Sequence, residues 1–409
     1  MIVRDEEKSL PRCLQSVQEV ANELIVVDTG SKDGTASTAK DYGARVYHFE
    51  WCDDFSAARN EYLKHVTGDW ILQMDADEEL SRASIQPLKN AILNPWRLGY
   101  LVKHDNGPEA FQRFALTGRL FRNHPLLRYS RPYHEGLDQA LKQVMSEEPR
   151  WEIGNEPGII IRHYGYGANQ FHDKLGRGIR IMEPYVKQHP EDWYVWNKLG
   201  SSYADLGDYQ KAEQCLARGL RMNPDCAEGN YALGYVKDKQ NKLDEAIPLY
   251  KRAIDGQPLL AEARARLGAI YVEKRNFFAA IMALQGAVGI NPDLAGAYVN
   301  LGLAYIGLQR YDEGIGQLKK AIAKRPGFSA AHMNLAMAYT KKEMMDEAIA
   351  EYKTALKIEP NYAKAHYNLA VTYYKTGNYK KAIEHCDKAA ALGAKIHTQF
   401  LDWLKPHRN

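Results

Sequence analysis

Pro190, Pro224, Pro258, Pro292, Pro326 and Pro360 fall 34 residues apart, and no other feature of this sequence limits its fold so strongly. The same period carries Gly200, Gly234, Gly268, Gly302, Ala336 and Ala370, and in the same phase Ala212, Ala246, Ala280, Gly314, Ala348 and Ala382. A period of this length marks stacked repeats, in which each unit is too small to bury its apolar face alone. Small residues at fixed points let two helices approach closely, and a proline after the second helix stops it before the next unit begins. The spacing therefore predicts an all-α solenoid of six units over 193–396. The segment from Gln170 to Pro190 reads as a half-repeat within a linking helix over 168–192, and "HTQFLDWLKPHRN" at 397–409 reads as a terminal cap.

The first 167 residues follow a different grammar. "ELIVVD", "ARVYHF" and "DWILQMD" are short strand-like runs, and "TASTAKDYG" between the first two fits a helix closed by Gly43. Strand, helix, strand implies a right-handed crossover and a parallel α/β sheet, whose ligands bind at the carboxyl ends of the strands. Asp28, Asp75 and Asp77 stand at that edge. Glu78 and Glu79 are explained by a helix N-terminus following them, where acids interact well with the dipole. Asp75 and Asp77 are not, and carboxylates alternating at a strand end suit a hard divalent cation. In "VVDTGSKDGT", Asp33, Gly34 and Thr35 satisfy an ordinary strand-to-helix turn, while Asp28 precedes the cap and is aimed where a ribose or base would sit.

Composition narrows the class. Among 409 residues the formal net charge is only +3, with Lys and Arg scattered, so a nucleic-acid footprint is not supported. Five cysteines without a CxxC pair fit reduced packing thiols in a cytosol. No apolar run approaches the ~20 residues of a membrane helix, and "MIVRDEEKSL" lacks the basic start and long apolar stretch of a signal peptide. The expected location is the cytoplasm.

The 34-residue pattern resembles the tetratricopeptide repeat. "MIVRDEEKSLPRCLQSV", "VVDTGSKDGT", "FSAARN" and "QMDADEEL", in this order, resemble the nucleotide-sugar half of family 2 glycosyltransferases with the GT-A fold, over Met1 to about Gly167. The likeness is strongest to bacterial members with "RDEE" or "KNEE" after the first strand and tetratricopeptide repeats behind the catalytic domain. It implies a GT-A (Rossmann-like mixed sheet) domain over 1–167, a nucleotide-sugar donor, with UDP expected, and Mn2+ or Mg2+ as cofactor. By the same resemblance Val3, Arg4 and Asp28 contact the nucleoside, Arg59 approaches the base or phosphates, Asp75 lies near the ribose and the metal, and Asp77 holds the metal. Family members carry several more residues of first strand ahead of the segment matching "MIV". A chain beginning at Met1 would have a short nucleoside wall, with Val3 on a frayed end.

Inversion at the sugar carbon also needs a general base. In "GRLFRNHPLLRYSRPYHEGL" the His134-Glu135 pair matches an "HE" of related transferases, which implies Glu135 as base and His134 as its neighbour or orienter. Asp138, Glu147 and Glu148 are the fallback acids. "GIIIRHYGYG" ends a strand on His163, either a hydrogen-bonded structural residue or, as often in GT-A enzymes, a metal ligand. Lys174 and Arg177 follow at helical spacing, either on a solvated face or reaching the diphosphate. In the repeats Asn300, Asn334 and Asn368 recur at the sixth position of successive units, as inherited consensus or as a ladder for a bound peptide backbone. Tyr231, Tyr235, Met333 and Tyr367 would line the same groove. The leading expectation is an inverting, metal-dependent transferase acting on a peptide or protein held by the repeats, with no nucleic-acid partner and no membrane span. The alternatives are a transferase for lipopolysaccharide-core or other cell-surface glycan, and a repeat scaffold without turnover.

Overall fold

Val26 and Val27 are fully buried, as expected of a strand covered on both faces. They lie in β2 (Ile25–Asp28), between the parallel strands β1 (Ile2–Val3) and β3 (Arg45–His48). Helices α1 (Leu10–Val17), α2 (Thr35–Asp41) and α3 (Phe55–Leu63) follow the three strands in turn. In α1 the residues Leu10, Cys13, Leu14 and Val17 form the buried stripe, and Gly43, at φ +80, closes the turn after α2. The computed structural model describes residues 1–106, 114–164 and 171–408. The chain folds as two units, Met1–Met222 and Asn223–Asn409, so the expected break before Trp193 falls inside the first.

A second, mixed sheet completes the α/β part. It contains β4 (Trp70–Leu72), β5 (Glu78–Leu80), β6 (Arg97–Asp105), β7 (Phe114–Arg122) and β8 (Glu152–His163), in the order β4-β7-β6-β8-β5. Only β6 and β8 run parallel. Helix α4 (Ile85–Ala91) precedes β6, and α5 (Asp138–Glu147) precedes β8. One expectation is corrected here. Glu78 and Glu79 do not begin a helix: pairing with His163 and Arg162 on β8 draws them into β5, and Glu78 is 1% exposed.

Nor is Val3 frayed. It is buried, its carbonyl accepts from both the Thr29 N–H and hydroxyl, and the Met1 ammonium nitrogen lies 2.8 Å from the Ile25 carbonyl oxygen. Burial, with Arg59 nearby, pushes that amino group down to about 5. Beside it lies a cavity of about 280 Å³, lined by Met1, by Ile25 and Val26 of β2, and by Trp70, Ile71 and Leu72 of β4. It occupies the space between two strands that do not pair.

The first unit ends with α6 (Phe171–Gln188), α7 (Trp193–Asp205) and α8 (Tyr209–Met222). The second unit contains five more helix pairs: α9 (Ala227–Lys239) with α10 (Leu243–Gly256), α11 (Ala261–Glu273) with α12 (Phe277–Ile290), α13 (Ala295–Gly307) with α14 (Tyr311–Lys324), α15 (Ser329–Lys341) with α16 (Met345–Ile358), and α17 (Ala363–Lys375) with α18 (Tyr379–Ala391). Helix α19 (Thr398–Leu404) then covers the last pair with Phe400 and Leu404. The repeating glycine is a matter of space: a Cβ at Gly302 would stand 2.7 Å from Leu318 on the paired helix.

The repeating proline has a second role. Six residues after it, a side chain of the next helix donates to its carbonyl: Trp196 to Pro190, Asn230 to Pro224, Arg264 to Pro258, His332 to Pro326 and His366 to Pro360, at 2.6–3.2 Å. Different residue types thus satisfy one orphan carbonyl at these five junctions. His332 also meets Glu351, with Nδ1 2.6 Å from Oε2. At the equivalent place His366 meets His385 instead, Nδ1 to Nδ1 at 2.8 Å, and burial and His366 push His385 down to about 4. Glu384, Lys388 and Lys353 also act on it. Since the unfolded value of about 6.5 is higher, the unfolded chain binds the proton first. The stability from neutral His385 is full above that pH and is lost as pH falls toward 4. We expect a loss of about 2 kcal/mol after allowing for partial solvent screening. His385→Glu should restore the pairing of the preceding repeat and abolish the loss. Thermal melts at pH 7 and 4.5 check this, and an unchanged acid loss in the variant would exclude His385 as its source.

Candidate active site

The "FSAARN" helix α3 is fastened along the segment that carries Glu135. Asn60 exchanges two bonds with the Tyr129 backbone, at 2.9 and 2.8 Å. The Ser56 hydroxyl donates to the Arg131 carbonyl, and the Phe55 N–H donates to the Pro132 carbonyl at 2.9 Å. Ser130 and Gly136 bridge each other, closing residues 131–135 into a loop. Arg59 completes the attachment, its Nε donating to Glu135 Oε1 at 2.6 Å. The block therefore serves as a clamp that delivers one carboxylate to one guanidinium.

From there an alternating chain of charges runs inward. Arg59 Nη2 reaches Asp75 Oδ1 at 3.0 Å, Arg119 Nη2 reaches Asp75 Oδ2 at 3.0 Å, and the same Arg119 nitrogen reaches Glu78 Oε1 at 2.8 Å. His104 Nε2 lies 2.9 Å from that Glu78 oxygen. Burial alone would raise the Asp75 carboxyl, but Arg59 and Arg119 hold it well below the usual carboxylate range. Buried ion pairs of this kind are costly to break singly, at about 3–5 kcal/mol, because the remaining charge is left uncompensated. Arg59 Nη1 is buried without a hydrogen bond among the described residues, which leaves one donor for a further acceptor.

Asp77 lies apart from this chain. Pairing of β5 with β8, extended by the Tyr164 N–H to the Asp77 carbonyl, brings its Oδ2 to 3.0 Å from His163 Nε2. Burial raises the Asp77 carboxyl, but the bond and charge of His163 outweigh it, so the net shift is downward. Lys174 lies close enough to contribute to that shift. An acid and an imidazole side by side at strand ends suit a divalent cation that takes its remaining ligands from phosphate and water. Among the described residues no group of three or more His, Cys, Asp and Glu is arranged to hold a metal.

The other expected residues are distributed around this centre. Asp28 is buried, and its Oδ1 accepts from the Gly30 and Ser31 N–H groups and the Ser31 hydroxyl, so that oxygen organises the turn. Arg4 is exposed and Val3 packs in the core. Arg177 places its guanidinium 5.7 Å from the Phe55 ring centre. His134 is exposed at φ +54, with its ring edge-on to Tyr133 at 4.8 Å. In the second unit Asn334 is buried and Asn300 and Asn368 are half-buried, and Asn368 faces the Met333 sulfur at 3.8 Å. Residues 165–170, which begin after Tyr164 in "GIIIRHYGYG", lie outside the described residues. Arg119, Glu78 and His104 were not anticipated as site residues. In the sequence Arg119 stands only as part of "GRLFRN", and Glu78 as an acid suited to a helix start.

The chain thus carries an α/β domain with a buried charge cluster, followed in sequence by an array of helix pairs. Residues 1–153 match the family described as Glycosyl transferase family 2. Tetratricopeptide-repeat families match at 173–225, 197–258, 231–295, 295–326, 338–377 and 363–392. These matches give the chain a domain of the family 2 glycosyltransferase type followed by tetratricopeptide repeats. A TPR repeat-containing protein of Synechococcus elongatus is 41% identical over 260 residues, 62% of this chain and 64% of that protein. The SPbeta prophage-derived glycosyltransferase SunS of Bacillus subtilis is 26% identical over 198 residues, 47% of this chain and 45% of that protein. The chain thus spans less than two thirds of the length of these curated relatives. The solved structure of MamA is 31% identical with a TM-score of 0.38, covering 41% of this chain and 97% of that one. No helix among the described residues is long and apolar enough to cross a membrane.

Proposed function

We propose that this protein is an inverting, metal-dependent glycosyltransferase that moves a sugar from a UDP-linked donor to a hydroxyl of a peptide or protein held by its repeats. The observation that carries this reading is the Glu135 carboxylate, oriented through Oε1 by Arg59 and joined through that arginine to Asp75, two residues from Asp77. No donor among the described residues reaches Glu135 Oε2, which is therefore the atom to take the acceptor proton. As the acceptor oxygen attacks the anomeric carbon, the bond from that carbon to the diphosphate oxygen breaks, and UDP departs with the electron pair. Asp77 and His163 would hold Mn2+ or Mg2+, which would supply charge neutralisation for the departing diphosphate. Lys174, whose charge acts on Asp77, would add a second positive charge there.

The test is a panel of UDP-glucose, UDP-galactose, UDP-N-acetylglucosamine, UDP-N-acetylgalactosamine and GDP-mannose, each with Mn2+, Mg2+ or chelator, read as nucleoside diphosphate release. Turnover with a UDP-sugar and metal, lost in chelator, is expected. Calorimetry with UDP should show binding strengthened by metal in the wild type and no metal effect in Asp77→Ala. Equal UDP affinity with metal and with chelator would remove the cation from this reading. Truncation after Met222, where the first unit ends, should spare UDP release and abolish transfer to a protein acceptor. Full transfer by the truncated chain to that acceptor would exclude the second unit from acceptor choice.

A further inference from the structure

The Glu135 loop is anchored on a second side, and that side belongs to the repeats. Arg131 opens the loop at φ +74, a left-handed conformation that costs a non-glycine residue about 1–2 kcal/mol. What holds it there is its side chain, which is 8% exposed. Nε donates to Asp192 Oδ2 at 3.0 Å, Nη1 lies 3.2 Å from Asp138 Oδ1, and the guanidinium covers the Tyr194 ring at 4.3 Å. Asp192 is the N-cap of α7, the first helix of the first repeat, and its Oδ1 accepts from the Tyr194 and Val195 N–H groups. The Tyr185 hydroxyl of α6 donates to its Oδ2 at 3.2 Å. One buried arginine therefore joins the cap of the first repeat helix to a closed loop whose fifth residue is Glu135.

We propose that Arg131 is a positioning residue for Glu135, through which the placement of the first repeat helix sets the geometry of the general base. This rests on the reading of Glu135 given above. Arg59 fixes only the direction of the Glu135 carboxylate, whereas the loop's path depends on α3 on one side and on Arg131 on the other. Arginine is suited to the task because its rigid fork serves two carboxylates and an aromatic face at once, which a lysine cannot do. The first repeat is thus part of the catalytic unit, and an acceptor that shifts α7 would be registered at the base.

Asp192→Asn tests this without removing the helix cap, since asparagine caps as well as aspartate. Arg131→Lys keeps the charge and loses the fork. UDP release is measured from the UDP-sugar of the panel above with the highest turnover, using the full chain. Each variant should lower kcat by about 10- to 100-fold, the scale of a roughly 1 Å misplacement, with UDP affinity by calorimetry within about twofold of wild type. Added to Glu135→Gln, either change should cause no further loss, because no base remains to be placed. Wild-type kcat in both variants, alongside an inactive Glu135→Gln, would overturn the proposal and leave the base intact. A parallel fall of kcat, UDP affinity and melting temperature would overturn it too, as a purely structural role. Wild-type turnover by Glu135→Gln would instead remove the base itself.

Discussion

Glu135→Gln is expected to lower sugar transfer to a hydroxyl acceptor by about 100- to 10,000-fold, the usual cost of losing a general base. A hydroxyl is almost fully protonated at neutral pH, so its proton must leave during attack. The amide retains an oxygen for the Arg59 Nε–H, so the clamp between α3 and the loop should survive, and with it UDP binding. The measurement is kcat for transfer beside UDP affinity by calorimetry. A thiol acceptor behaves differently: with a pKa of about 8.5 it is already a few per cent thiolate, so the loss should be smaller and should shrink as pH rises. Wild-type transfer to a hydroxyl by Glu135→Gln would direct attention to Asp138, the acid that shares Arg131.

Four or five apolar, β-forming residues placed ahead of Met1 should stabilise the first unit by several kcal/mol. They would extend β1 along β2 into the cavity of about 280 Å³ beside β4. At about 24 cal/mol per Å³ of void removed, complete filling would contribute about 7 kcal/mol, and half-filling about 3. Half-filling would raise the melting temperature by about 10 °C for a unit of this size. The pH dependence should change as well. In the chain beginning at Met1 the buried amino group is held at about 5, below its ordinary 8.0. Stability from the neutral amine is therefore full above pH 8 and is lost as pH falls through the window to 5, by about 1.4 kcal/mol per unit at most. Moving the amino group out to solvent should flatten that slope. Melts of both chains from pH 8 to 5 decide it: parallel slopes would show that the amine does not control this window.

The repeat array was legible from sequence because its information is local and periodic. Each helix pair meets the same packing problem, so the same small residue recurs where Gly302 passes Leu318 and the same proline recurs at each junction. The parallel strands were legible for a related reason, since a run such as "IVVD" suits few other environments. The acids of "QMDAD" and the strand end at His163 were visible too, but not their division of labour. Pairing of β5 with β8 separates Asp77, beside His163, from Asp75, whose oxygens are held by Arg59 and Arg119. The same pairing turned Glu78 from an acid suited to a helix start into a buried partner of Arg119 that lies against His104. Arg59 and Glu135 are 76 residues apart and Arg131 and Asp192 are 61 apart. Periodicity and caps act over a few residues, so the sequence by itself determined the repeat helices, the parallel strands and the chemistry these segments carry. Which charges meet depends on strand order, register and the path of a clamped loop, and these are decided only when distant segments pack and a buried charge must find its partner.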